Sequence, residues 1–333
     1  MKENFSCSLT GKMWCKQILL YVVFCLVTII PPEIALMKIT TTEKSAVLAS
    51  TILFVIVMFS LFAIMVAWFT IVFSKLLYLT ISFKGKTFTF TGKAGEFIKL
   101  YLVQFLLTLI TFGFYSPWYT KRITDYMVSH SEYNGEKTIF LGKGSKLFKY
   151  FLLALLIPVI IWAGLFGAII GIIRLSSTNL NPSQVALFSI LAVIVYILIF
   201  IIIIPYMYLE YKWLFNMKWK NIFISWNTKF WSSCFFILKQ VLLTLVTLGI
   251  YWPVLTIKTW RYFACKTVLI ENNEEKVHFG FEGKTGKGFC FLWGQTLLCI
   301  ITLGFYFPWA YAKCLKFLIN NTFFEENQTR LTK

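Results

Sequence analysis

Residues Gln104–Trp118 read QFLLTLITFGFYSPW. The pattern returns as QVLLTLVTLGIYWPV at Gln240–Val254 and as QTLLCIITLGFYFPW at Gln295–Trp309. Gln, Leu, Leu, Thr, Gly, Tyr and Pro are identical in all three, which indicates a chain built by internal duplication. A glutamine and its threonines stand out in such an apolar stretch, because a polar group taken from water is costly unless it is hydrogen-bonded. On a continuous helix Gln104, Thr108, Thr111 and Tyr115 fall within about 60° of arc and form one stripe. Gln240, Thr244, Thr247 and Tyr251 repeat it, as do Gln295, Cys299, Thr302 and Tyr306. Two uses of these stripes compete: hydrogen bonding between helices, or the lining of a hydrated path or binding cavity. Gly113 and Pro117, Gly249 and Pro253, and Gly304 and Pro308 mark a helix break in each copy.

The surrounding chain is 58% hydrophobic and 14% charged, with a mean hydropathy of +0.73. A soluble domain carries about 25% charged residues. Seven stretches approach the roughly 20 apolar residues that a bilayer crossing needs: 18–37, 46–74, 98–119, 150–173, 185–209, 234–256 and 289–312. The expected fold is therefore an all-α polytopic membrane protein with about seven membrane-embedded helical segments, three of them repeats. Its expected organisation is an N-terminal helical hairpin (1–82), a repeat-containing membrane domain (83–324) and a tail (325–333). The repeat copies lie at about 88–122, 222–261 and 279–316, around a divergent hairpin at 150–210. Lys2, Lys12 and Lys16 precede the apolar run Ile18–Ile30 as in a signal sequence. No small-x-small cleavage site follows, so the run reads as a retained first span. In the fourth segment Ala163, Gly167 and Gly171 form a small-residue face expected to pack on the fifth.

The formal net charge is +18, and it is concentrated between the apolar segments. Positive charge beside membrane segments marks the cytoplasmic side. The charge-poor connections 31–45 and 174–184 are then periplasmic, and the N-terminus is cytoplasmic. The repeat copies are basic on both flanks. Either they dip into the membrane and return, or they cross against the charge rule. In so apolar a chain the expected partners of the basic loops are the lipid bilayer and its anionic head groups, not nucleic acid; protein partners are not legible. The eight cysteines form no C-x-x-C pair and only two histidines occur, so no metal or other cofactor is expected. With no carboxylate deep in a segment and no nucleophile–base pair, enzymatic chemistry is not expected.

Before copies one and three stand FTFTGKAG (Phe88–Gly95) and FGFEGKTG (Phe279–Gly286), with degenerate versions before the second copy and before the fourth segment. Their period-two alternation predicts short β-strands ending in Gly turns in the cytoplasmic loops, three or four of which could pair. Gly283–Thr285 resembles the end of a phosphate-binding loop, but His278 stands where that motif needs glycine. The F-x-F-x-G-K-x-G element, followed by L-x-x-x-T-x-G-x-Y-x-P-W and a basic residue, resembles the bacterial YjgN-like family over roughly Phe88 to Thr322. These are inner-membrane proteins defined by a domain of unknown function. The resemblance implies a multi-pass protein of the bacterial inner membrane and carries over no site residues. The expected function is a path for a small solute or lipid along the Gln/Thr-striped helices. The alternative is a non-transporting scaffold or lipid-interacting protein whose stripes only hold helices together.

Overall fold

The computed structural model describes residues 2–39, 45–176, 181–271 and 274–326. β-Hairpins alternate with helix pairs along the chain. β1 (Lys2–Asn4) and β2 (Ser6–Cys7) lead into α1 (Gly11–Ile39) and α2 (Ser45–Thr80). β3 (Ile81–Phe83) and β4 (Lys86–Phe90) lead into α3 (Ala94–Ile110) and α4 (Ser116–Ser129). β5 (Ser131–Tyr133) and β6 (Glu136–Phe140) precede α5 (Gly144–Tyr150), a π-helical turn (Phe151–Leu156), α6 (Ile157–Ser176) and α7 (Pro182–Leu214). β7 (Met217–Trp219) and β8 (Ile222–Trp226) precede α8 (Phe230–Val246) and α9 (Trp252–Lys266). β9 (Thr267–Glu271), β10 (Glu274–Phe281), α10 (Thr285–Ile301), α11 (Phe307–Asn320) and β11 (Thr322–Glu326) follow.

The strands form one 11-stranded sheet in the order β1-β11-β10-β9-β8-β7-β6-β5-β4-β3-β2. The two strands at its ends, β1 and β2, are separated in the chain only by Phe5, whose N–H donates to the Thr322 carbonyl at 3.0 Å. The sheet is thus a nearly closed antiparallel ring. Its hairpins turn at Lys84–Gly85 (φ +50° and +72°) and Asn134–Gly135 (φ +55° and +76°). Two left-handed residues in a two-residue loop match the twist of the flanking strands. Aromatic rings meet across intervening strands: Phe83 with Phe324 (5.1 Å), Tyr133 with Trp219 (5.7 Å) and Phe5 with Phe279 (6.0 Å).

This sheet overturns the expectation of an all-α molecule with about seven membrane-embedded segments. Among the described residues only Gly11–Pro31, Ser50–Thr80 and Gly144–Ala168 are long and apolar enough to cross a membrane. The four short strands expected at the Phe/Gly elements are β4, β6, β8 and β10, but they pair through the intervening β5, β7 and β9 rather than with one another, and those partners are too short for alternation to mark them. The repeat segments fell short for a different reason: α3, α8 and α10 each end after 17 residues and the chain turns back. Parts of the two connections expected to be periplasmic, 40–44 and 177–180, lie outside the described residues. α6 packs on α7, and among the described residues a Cβ added at Gly164, Gly167 or Gly171 would meet nothing within 4 Å.

The helices follow the ring of strands. α11 packs on α1, α2 on α3, α4 on α5, α7 on α8 and α9 on α10. The core is divided among the joints between strands and helices. Phe90, Phe140, Trp226 and Phe281, each the last residue of its strand, sit in separate buried clusters. Full burial of such a side chain contributes about 1.5–3 kcal/mol. The glycine two positions on is dictated by that aromatic. A Cβ at Gly92 would lie 2.5 Å from the Phe90 ring, and one at Gly142 or Gly283 would enter the ring of Phe140 or Phe281. β8 escapes the constraint. Trp226 stacks between Phe215 (5.1 Å) and Phe263 (4.5 Å), and Thr228 fits in the glycine's place, bonding the Tyr208 hydroxyl at 2.8 Å.

Candidate membrane-facing site

The quoted segments fold as the tips of three short helical hairpins, α3–α4, α8–α9 and α10–α11. In the first, Phe112 N–H donates to the Leu109 carbonyl (3.0 Å) and Gly113 N–H to the Thr108 carbonyl (2.8 Å). This is a Schellman ending, whose left-handed first position usually holds glycine. Here Phe112 takes it at φ +49°, with Gly113 following at +88°. Leu248 and Gly249 (+49°, +88°) and Leu303 and Gly304 (+50°, +89°) do the same. Pro117, Pro253 and Pro308 then sit buried in the first turn of α4, α9 and α11. Proline is favoured there because its missing N–H would have no helical partner.

The turn brings the polar residues together within each hairpin. Thr111 Oγ1 accepts the Tyr115 N–H (3.1 Å), and the Tyr115 hydroxyl donates to Gln104 Oε1 (2.9 Å). Tyr251 makes the same bonds to Thr247 (3.1 Å) and Gln240 (2.8 Å), and Tyr306 to Thr302 and Gln295 (both 3.1 Å). Thr108 and Thr244 return their hydroxyls to the Gln104 and Gln240 carbonyls (2.8 and 2.9 Å). Cys299 is half-buried in the corresponding place. Each stripe therefore staples its own turn, and its members pair across the hairpin rather than with another copy. Lys258 and Lys313 extend the staple by donating to Tyr251 (2.9 Å) and Tyr306 (2.7 Å).

The first hairpin has no such lysine bond, since Arg122 occupies that position. Replacing Gln104 by leucine removes the side-chain acceptor of Tyr115 and is expected to destabilise by about 1–3 kcal/mol. Gln295→Leu is expected to cost about as much, because Lys313 only donates to Tyr306 and an ammonium cannot accept the orphaned hydroxyl proton. Thermal unfolding of the two variants in one detergent checks the equality. A much smaller loss for Gln295→Leu would mean that the Tyr306 hydroxyl finds another acceptor.

Beyond the staple the tips are bare. Phe112, Leu248 and Leu303 are 94%, 93% and 89% exposed, and Ile110, Val246 and Ile301 are 74%, 80% and 75% exposed. The charge lies at the other end, on the strand ring, where Lys84 pairs with Glu3 (3.5 Å), Lys220 with Glu136 (3.2 Å), and Lys2 with Glu282. The Tyr133 hydroxyl in this ring is shifted above its ordinary pKa, first by burial and then by the Glu3 charge. The accessible surface is 20435 Å², whereas a soluble globular chain of this mass exposes about 14,000 Å². The excess includes apolar helix faces such as Leu19, Val23, Leu53 and Ile56.

The residues matched by known families run through this architecture. The model of a family described as bacterial protein of unknown function, DUF898, matches residues 85–175 and 155–278. The chain belongs to this family. The match runs from the β3–β4 turn to β10 and includes the tips at Gly113 and Gly249 but not the one at Gly304. It is consistent with the resemblance to YjgN-like proteins, and it assigns no reaction and no ligand. No curated protein and no solved structure matches the chain.

Sequence reading found the residues of the staple but not their pairing, because the stripe was drawn on an uninterrupted helix. It missed the left-handed Phe112, Leu248 and Leu303. The signal was available in the Gly that follows each of them, five positions after Thr108, Thr244 and Cys299. Lys239, inside the apolar stretch of α8, is exposed beside an open apolar groove of about 310 Å³ lined by Phe235, Leu242 and Val246.

Proposed function

We propose that this chain is a non-enzymatic, multi-pass protein of the bacterial inner membrane that works as a lipid-interacting scaffold. Its strand ring lies in the cytoplasm. Gly11–Pro31, Ser50–Thr80 and Gly144–Ala168 cross the bilayer, the 33-residue α7 brings the chain back to the ring, and the three short hairpins, copies of one duplicated unit, dip in and return. A 17-residue helix is about 25 Å long, enough to carry a tip to the middle of a hydrocarbon core about 30 Å thick. Both ends of each short hairpin join the ring, so every basic flank falls on one side, in keeping with the charge rule. The polar stripes do not serve as a path in this reading, since their hydrogen-bonding groups are used within each hairpin.

The observation that carries the proposal is the residue type at the Schellman position. A left-handed conformation costs an L-residue roughly 1–2 kcal/mol, with Gly, Asn and Asp the usual occupants. Phe112, Leu248 and Leu303 bear that strain while touching almost nothing in the protein. Burial of an apolar tip in lipid offsets it. Nitroxides placed at these three positions, in a background without native cysteines and reconstituted in vesicles, are expected to collide readily with oxygen and rarely with a water-soluble nickel complex. Nickel accessibility equal to that of a nitroxide at Lys220 would sink the proposal.

A further inference from the structure

The third hairpin differs from the other two in one respect that bears on lipid. Ten residues after the tip tyrosine stand Asp125, Arg261 and Lys316 in the three copies. Asp125 is paired with Lys121 at 2.5 Å. Arg261 donates to the Gly283 carbonyl at 2.6 Å and lies over the Phe281 ring. Lys316 has neither kind of partner among the described residues. It lines an open groove of about 310 Å³ with Lys313, Asn320, Asn321, Phe291 and Phe317.

The polar lining offers donors at Lys313, Lys316 and Asn320, while Asn321 turns its amide nitrogen to the Phe317 carbonyl at 2.7 Å. Lys313 uses one N–H on Tyr306. Asn320 accepts the Cys7 N–H through Oδ1 at 2.8 Å, which leaves its amide N–H groups unused. No carboxylate lines the groove. The Phe291 and Phe317 rings, 5.4 Å apart, give it an apolar side. Lys313 and Lys316 lie about 9 and 14 Å along α11 from its first residue. Half a hydrocarbon core is about 15 Å, so the two ammonium groups reach head-group depth when the tip at Leu303 is near the midplane.

The structure assigns this groove as a binding site for the phosphate head group of an anionic phospholipid, held by Lys313, Lys316 and Asn320, with the lipid's glycerol and upper chains against Phe291 and Phe317. The inference rests on the membrane reading above. A paired Arg261 and a neutralised Asp125 deny the other two hairpins the same site.

The test is native mass spectrometry of the full chain released from mixed micelles of dioleoyl phosphatidylglycerol and dioleoyl phosphatidylcholine. One phosphatidylglycerol adduct is expected to form ahead of any phosphatidylcholine adduct. Lys316→Gln weakens it about fivefold, the worth of one lysine at an anionic surface. Lys316→Arg keeps it, and Lys220→Gln on the strand ring leaves it unchanged. Equal binding of the two lipids, or Lys316→Gln binding like the parent, overturns the site. Inorganic phosphate that forms the adduct itself and displaces phosphatidylglycerol overturns the lipid assignment in favour of a free anion. Nitroxide depth at Leu303, measured on the same variants, separates the two readings. Deep tips with no head-group preference remove only this inference, whereas shallow tips remove the membrane reading beneath it.

Discussion

Leu303→Asp lowers stability in lipid vesicles by about 3 kcal/mol, the penalty of a carboxylate near the centre of a bilayer. Nothing else in the molecule predicts a loss. Leu303 is 89% exposed, so little protein packing disappears, and its φ of +50° is one that aspartate tolerates better than leucine. In water the change would be neutral or slightly stabilising. Lys220 supplies the control, because it adopts φ +53° at the opposite end of the molecule. Lys220→Asn should change stability by no more than about 0.5 kcal/mol, as surface substitutions do. Phe112→Asp and Leu248→Asp act on separate hairpins, and distant sites add. The triple variant therefore loses about 9 kcal/mol and fails to accumulate as folded protein. Thermal denaturation in vesicles measures the single variants, and a loss below about 0.5 kcal/mol at Leu303 would place that tip in water.

Gly142→Val is expected to cost about 3 kcal/mol, at the upper end of overpacking penalties. A Cβ there enters the Phe140 ring and comes within 2.7 Å of Trp213. Neither ring can withdraw, since both are buried around Leu147 and the Trp213 indole N–H is held by the Lys143 carbonyl at 3.1 Å. Thr228→Val gives the contrast. The backbone there already accepts a branched side chain, so the substitution removes one hydroxyl hydrogen bond, worth about 1 kcal/mol. Unfolding of both variants under one set of conditions checks the difference. A mild Gly142→Val would mean that the aromatic and the glycine are not bound to each other.

The sequence was readable where a residue type has one physical use. The Gly and Pro of each copy lie where the backbone turns and restarts, and Gln, Thr and Tyr lie where buried polar atoms need partners. The staple itself was hidden, because Gln104 and Tyr115 are neighbours on a continuous helix and also across a closed hairpin. Of the strand ring, β4, β6, β8 and β10 were legible in the Phe/Gly alternation, but their partners and the closure were not. β3, β5 and β7 are three residues each, and their pairing is governed by turns rather than by alternation. Asn134–Gly135 is a strong hairpin signal that the polar stretch around it, Ser129–Thr138, concealed. The groove at Lys316 had no signature, because what distinguishes that lysine from Arg261 and Asp125 is the absence of a neighbour.

The joining of β1 to β11 also governs how the protein is made. Lys2 pairs with Glu325, so β1 waits during synthesis for a partner about 320 residues behind it. At typical bacterial translation rates that delay is on the order of tens of seconds. Throughout it, β1 and the newest strand each present an unpaired edge, the feature by which nascent sheets capture one another. Chains that stall or are cut before Thr322 never lose those edges. Pairing of β11 is therefore the step at which one short segment turns an open, self-adhesive sheet into a nearly closed one.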